Sequence, residues 1–390
     1  MRVSRSKEEK GRRKIFPAIP ALLAAVCLVI VSLAGCAVRE EASDDGRMKV
    51  VTTIFPQYDF ARAISGPEEL ASVRMLLSPG EEVHSYEPTP LDIKEIQNCD
   101  LFIYVGGEND VWVDRILENM GDNRPHTLRL VDLTDTVEEE IVEGMMQERG
   151  EHEHDEHDLA EGADGHGHEE HSEPAGHSEP EEPSEPEGHG EPVHGGDSSE
   201  EEHEEADEHV WTSPAKAAEI TEGIAAEMAR IDPANKEQYL ANARAYEEEL
   251  LEIDAQFRQI VRDAERRTLV FGDRFPFRYF AIEYGLNYYA AFPGCSSESE
   301  PSASTLAFLI DKVRSERIPV VFTIELSNGN IARAICESSG AAMRTFHSCH
   351  NVTKEQMESG ATYVSLMRDN LVVVREALCE SGPRGDDGNE

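Results

Sequence analysis

The sequence predicts an α/β protein: two α/β lobes with parallel sheets, joined by a single long rigid helix. Three observations predict it. Short β-branched runs alternate with helical patterns over residues 48–140, the same alternation returns over 264–380, and one long amphipathic pattern lies between them. Strands that alternate with helices build parallel sheets, because a parallel crossover needs a helix-length connection.

In the first lobe, residues 49–54, 71–77, 101–105 and 128–131 read as strands. Thr89 caps a helix that opens with Pro90, and Asp92 completes a capping box. Residues 209–232 return to this lobe, with a helix from Pro214 capped by Ser213. Asp232-Pro233 then supplies a cap and a first-turn proline. Tyr239, Tyr246, Leu250, Ile253, Phe257 and Ile260 recur at helical spacing, which predicts the linking helix over 233–263. In the second lobe, residues 268–271, 288–291, 319–324 and 343–346 read as strands. Helices are expected at about 275–284, 303–316, 328–339 and 360–379. Two such lobes create a cleft where the carboxyl ends of their strands meet, which is where sheets of this kind bind ligands.

The chain ends carry addresses. Arg2, Arg5, Lys7, Lys10, Arg12, Arg13 and Lys14 precede an apolar run from Ile15 to Leu33, the layout of a secretory signal over residues 1–35. Leu33-Ala34-Gly35-Cys36 resembles the lipobox of bacterial lipoproteins, which implies a lipid on Cys36, a polar tether over 36–47 and a membrane-anchored exported protein. Residues 381–390 read as a disordered tail. Beyond Cys27 and Cys36, five cysteines remain (Cys99, Cys295, Cys336, Cys349 and Cys379), an odd set without short spacing and so no disulfide framework. One bridge or five free thiols stay open.

The net charge of −43 argues against nucleic-acid partners, because phosphates would be repelled. Most of it is local: residues 138–209 hold 29 acidic residues against one Arg. Residues 141–208 almost lack apolar side chains and cannot bury enough surface to offset their ordering entropy, so they read as a disordered insertion. That insertion carries ten of the 15 histidines: His152, His154, His157, His166, His168, His171, His177, His189, His194 and His203. Imidazoles among carboxylates in a pliable chain gather zinc, copper or nickel without a preformed geometry.

The remaining histidines are His84, His126, His209, His347 and His350. His126 follows Pro125 and reads as structural. His84 follows a strand, His209 precedes a helix and His347 ends an apolar run, the topological points from which cleft-facing residues project. Together they point to one metal site between the lobes.

At these residues the chain resembles the solute-binding lipoproteins of zinc and manganese ABC importers. His84-Ser85-Tyr86-Glu87-Pro88-Thr89-Pro90 is similar to the family's first ligand motif, Gly106-Gly107-Glu108-Asn109-Asp110-Val111-Trp112 to its glycine-rich turn, and Asp207-Glu208-His209-Val210-Trp211-Thr212-Ser213-Pro214 to its second ligand motif. Glu300-Pro301-Ser302 matches a motif of the second lobe, and the likeness covers about residues 48–380. The resemblance implies two α/β lobes about one rigid helix, metal between them, and no enzyme. It also implies an ABC permease and ATPase as partners, residence at the outer face of the cytoplasmic membrane, and a monomeric state. A His-rich acidic loop is typical of the family's zinc-specific members. Where the family carries a third histidine, this chain has Phe271-Gly272-Asp273-Arg274-Phe275, with Gly272 at the ligand position.

The expected ligands are therefore His84, His209 and His347, with His350 or Asp273 as further candidates and Glu108 and Glu300 as supports behind them. Three nitrogens plus one oxygen or water suit tetrahedral Zn2+ as the transported ligand. Arg274 stands ready to pair with Asp273, which would make that acid structural. Manganese as cargo, or a surface zinc store or adhesin, are the alternatives. A zinc hydrolase is the least favoured, because no HExxH and no nucleophile elbow occur.

Overall fold

The computed structural model describes residues 46–67, 69–145, 206–296 and 300–380. The signal, Cys36, the tail and the ten histidines of the insertion lie outside the described residues. In the first lobe, β1 (Met48–Thr52), β2 (Ala71–Met75), β3 (Leu101–Tyr104) and β4 (His126–Arg129) form a sheet in the order β2-β1-β3-β4. All its pairings are parallel. In the second, β5 (Thr268–Phe275), β6 (Asn287–Pro293), β7 (Val320–Thr323) and β8 (Ala342–Thr345) repeat the plan as β6-β5-β7-β8. These pairings are parallel too. In each sheet the strand order turns back beside the first strand, so each lobe offers a crevice at the carboxyl ends of its central pair.

The helices are α1 (Phe55–Ser65), α2 (Pro90–Gln97), α3 (Val111–Met120), α4 (Pro214–Ile231), α5 (Lys236–Asp263), α6 (Arg278–Tyr284), α7 (Ala303–Ser315), α8 (Asn330–Ser339), α9 (Lys354–Glu358) and α10 (Tyr363–Cys379). Local chemistry sets their starts. At α2, Thr89 Oγ1 accepts from Asp92 N at 3.3 Å while Asp92 Oδ2 accepts from Thr89 N at 2.8 Å, a complete capping box. The linking helix α5 starts three residues later than its sequence suggests. Asp232 closes α4 instead, and its carboxylate receives Asn235 Nδ2 at 2.6 Å and Tyr239 Oη at 3.0 Å, so Asp232-Pro233 forms the corner between two helices. Among the described residues, no helix is long and apolar enough to cross a membrane.

Helix α5 ties the lobes into one core. Its buried face runs Tyr239, Ala243, Tyr246, Leu250, Ile253, Phe257 and Ile260, in a hydrophobic cluster that continues under both sheets. Near its start it meets α1, where Tyr246 Oη donates to buried Asp59 at 2.6 Å. Farther along it meets α6, with Phe257 and Phe280 ring centroids 4.9 Å apart. The same Asp59 Oδ2 accepts the Tyr363 backbone N–H at 2.9 Å, so α1, α5 and α10 join at one carboxylate.

Two features differ from the sequence reading in ways that shape the cleft. Strand β5 continues past residue 271 to Phe275 through a register shift between Phe271 and Arg274. At that irregularity Gly272 lies against α8: a Cβ built there would sit 2.4 Å from Ala332 Cα and 2.5 Å from Ala332 N. No ligand side chain fits. The ends of the expected insertion also belong to the folded body. Glu138 and Ala206 form an antiparallel bridge, Asp207 N donates to Val137 O at 2.8 Å, and Met145, Asp207 and Glu208 are buried. Cys99, Cys336, Cys349 and Cys379 are free thiols.

Candidate metal centre

Three imidazoles meet where the two lobes face each other. His84 sits in the short turn Val83–Ser85 after β2, with Nδ1 3.1 Å from Asn109 Oδ1. Asn109 in turn donates from Nδ2 to the Glu208 carboxylate, so an amide relay fixes the ring. His209 is fully buried at the head of the turn Val210–Thr212, with Nδ1 2.9 Å from Asp207 Oδ1. His350 comes from the loop after β8, with Nδ1 2.6 Å from Ser348 Oγ. In each ring the outward nitrogen is occupied by protein and Nε2 is left for the cleft. The Nε2 atoms of His209 and His350 are buried without a protein partner. Buried polar atoms are rarely left unpaired, and a lone pair held in this way suits a metal.

Two of the three ring pairs, both through His350, stand at a spacing that one ion can bridge. Ring centroids of His209 and His350 are 4.8 Å apart, and those of His84 and His350 are 5.8 Å apart. Two imidazoles on a tetrahedral zinc at ordinary Zn–N lengths place their centroids about 5 Å apart. Burial, with the neighbouring His209 and Arg274 charges, lowers the His84 pKa to about 4. Burial likewise pushes His350 well below the usual range, assisted by the other imidazoles and Arg274. At His209 burial opposes the charge, but the Asp207 carboxylate outweighs it, helped by Glu208 and Glu139, and the pKa rises. His84 and His350 thus present neutral lone pairs at physiological pH.

The loop bearing His350 is stitched to the opposite lobe. Phe55 N donates to His350 O at 3.1 Å, Gly80 N to Val352 O at 2.8 Å, and Asn351 Nδ2 to Ser78 O at 2.7 Å. Glu325 holds the loop from behind, accepting from Ser348 N at 2.7 Å, Ser348 Oγ at 2.6 Å and His350 N at 2.9 Å. Trp211 packs edge-on to His350 at 5.0 Å and donates Nε1–H to Ser348 O at 2.9 Å.

Other expected residues fall elsewhere. His347 is buried nearby and its Nε2 is likewise without a protein partner, but its Nδ1 accepts from Cys349 N at 3.0 Å. In a neutral ring that bond puts the proton on Nε2, so His347 is not poised as His350 is. Asp273 is removed from the ligand set: Oδ2 accepts from Thr323 Oγ1 at 2.7 Å and Oδ1 from Arg274 N at 2.9 Å, which makes it a clamp between β5 and β7. The Arg274 guanidinium pairs with Glu82 at 3.0 Å, across the lobes, instead of with Asp273. Glu300 is exposed ahead of the Ser302 cap of α7, and the Glu108 side chain lies outside the described residues. Sequence reasoning did not single out Asn109, Asp207, Glu325 and Glu82. Asp207 and Glu82 carried a local signal, each an acid two positions before a candidate ligand histidine.

A second group of potential ligands lies on the Gly294 side of His209, where atoms of Glu208, His209 and Cys295 fall within 4.8 Å of one another. The imidazole trio is the stronger centre, because Glu208 is already engaged by Asn109 while two of the trio's Nε2 atoms have no other partner.

The chain is similar to several proteins of zinc uptake. It is 27% identical over 365 residues to the zinc-binding lipoprotein AdcA of Streptococcus pneumoniae, covering 94% of this chain and 62% of that protein. The chain thus spans less than two thirds of that relative's length. It is 28% identical over 367 residues to the high-affinity zinc uptake system protein ZnuA of Bacillus subtilis, covering 91% of this chain and 95% of that protein. Among solved structures, the metal-dependent lipoprotein YcdH of Bacillus subtilis matches with a TM-score of 0.62 at 25% identity, over 86% of this chain and all of that one. The model of the zinc-uptake complex component A, periplasmic, matches residues 50–377, and the protein belongs to that family.

Proposed function

We propose that the protein captures Zn2+ outside the cytoplasm and presents it to an ABC permease and ATPase. In this reading a lipid on Cys36 holds it at the outer face of the cytoplasmic membrane, as a monomer. The observation that carries the reading is the convergence of His84, His209 and His350, two of them with buried, unpartnered Nε2 atoms. Imidazole nitrogens favour zinc over manganese, which prefers oxygen ligands.

The two lobes (residues 48–140 with 209–232, and residues 264–380) act as jaws. The insertion raises local zinc near them through His152, His154, His157, His166, His168 and His171. The shared core around α5 keeps the jaws from swinging far, and release requires only that the seam around Phe55, Gly80 and Asn351 part.

The test is zinc calorimetry on the chain without its signal, with Trp211 fluorescence followed in parallel. Trp211 touches two of the three rings, so its emission reports the cleft and not the insertion. One tight equivalent that changes Trp211 emission and vanishes in His209→Ala is the expected result. Tight binding that leaves Trp211 silent would move the site to the insertion and make the protein a zinc buffer.

A further inference from the structure

Glu82 occupies a position that neither the ligand set nor the fold explains. Its Oε1 atom lies 3.0 Å from Arg274 Nη1 and 3.9 Å from His84 Nε2. One oxygen therefore faces both a cation of the second lobe and the imidazole through which His84 would bind zinc. Ligand atoms on one tetrahedral zinc lie about 3.3–3.5 Å apart, so Glu82 needs to move by only a fraction of an ångström to share the ion with His84.

Arg274 is equally unusual. It follows Gly272 and Asp273 at the irregular end of β5, its side chain is only 17% exposed, and its Nε is buried without a partner. Its charge reaches both His84 and His350. A guanidinium in that place repels an incoming divalent ion unless a carboxylate screens it. Beside the pair opens a cavity of about 170 Å³ lined by Glu82, Asp273, Arg274, Glu325, Ser327 and Asn328. That space and its two further carboxylates give a released guanidinium somewhere to go.

We propose that Glu82 is shared in turn between Arg274 and the captured ion. It supplies the oxygen ligand when Zn2+ sits on His84, His209 and His350, and it returns to Arg274 when the ion leaves. This rests on the cleft being the zinc site. The ion pair crosses from one lobe to the other, so the metal breaks an inter-lobe contact as it gains a ligand. Arg274 is then a built-in competitor: it weakens zinc binding and assists release.

The experiment measures zinc affinity by chelator competition, read by Trp211 emission in a Trp112→Phe background of the chain without its signal. Trp112→Phe leaves Trp211 as the single indole. Glu82→Gln is expected to weaken binding about tenfold or more, the scale of losing a supporting or ligating group. Arg274→Ala is expected to do the reverse, tightening binding and slowing zinc transfer to the chelator. In the double variant the gain from Arg274→Ala should be much smaller than in the parent, because most of that gain comes from freeing Glu82. Arg274→Lys keeps a cation on the same side and should stay near the parent. If Arg274→Ala weakens binding, or the two effects simply add, the exchange is refuted and Arg274 is a structural tie. His209→Ala separates the underlying reading: if it leaves the Trp211-detected affinity intact, the cleft assignment itself fails, whatever Glu82 does.

Discussion

Gly272 stands where a family ligand is expected, so substituting it asks whether the position is a lost ligand or a packing requirement. A Cβ at 272 would lie 2.4 Å from Ala332 Cα, 2.5 Å from Ala332 N and 2.8 Å from Ala332 Cβ. All three are far inside ordinary contact, and two involve the backbone of α8, which cannot rotate away. Relief requires α8 to retreat by about 1 Å from a fully buried contact, and overpacking of this kind costs about 1–3 kcal/mol, here at the upper end. Gly272→Ala is therefore expected to lose about 3 kcal/mol of stability, seen as a lower urea midpoint with an unchanged slope. Gly272→His should be worse and should gain no zinc affinity, because its ring would start inside α8. A Gly272→Ala protein within about 0.5 kcal/mol of the parent, the usual range for a harmless substitution, would refute the packing argument. A Gly272→His protein that binds zinc more tightly would refute it as well.

Three further outcomes follow from the site. His209→Ala should abolish Trp211-detected zinc binding, whereas His347→Ala should weaken it far less, because the Cys349 N–H bond leaves the His347 proton on Nε2; calorimetry of both decides. Zinc affinity should fall with a slope near one proton per pH unit between about pH 7 and 5: His209, raised by Asp207, competes with the metal there, while His84, lowered to about 4, and His350 are already deprotonated. A slope near three in a pH-resolved competition assay would overturn this. Asp110, whose carboxyl burial raises to about 7 with a smaller push from Glu208, binds its proton more tightly folded than unfolded. Its contribution to stability is thus full below about pH 4 and lost as pH rises through 7; urea unfolding of Asp110→Asn should remove a tilt of about 4 kcal/mol between those limits.

Much of the frame was legible. Five of the eight strands (β1, β3, β5, β6 and β7) grow from β-branched or aromatic runs such as Val50-Val51-Thr52 or Val320-Val321-Phe322, and the alternation of strands with helices dictated parallel pairing. His84 and His209 were legible for a topological reason: residues just past strands or just before helices end up in the cleft. The choice between His347 and His350 was not, because it depends on which ring nitrogen a loop amide occupies. Nor was the role of Asp273, since its partner Thr323 is 50 residues away on a neighbouring strand. Glu82 and Arg274, 192 residues apart, meet only because the lobes close on each other.

The bridge between Glu138 and Ala206 has a consequence for what lies between them. It holds the two ends of segment 139–205 side by side on the folded body. Lengthening a chain excursion with fixed, adjacent ends is thermodynamically mild, about 0.6 kcal/mol for each doubling. The number of imidazoles that the protein displays can therefore grow or shrink by insertion and deletion while the cleft keeps its geometry, which leaves the capacity to collect metal and the capacity to hold one ion free to change separately.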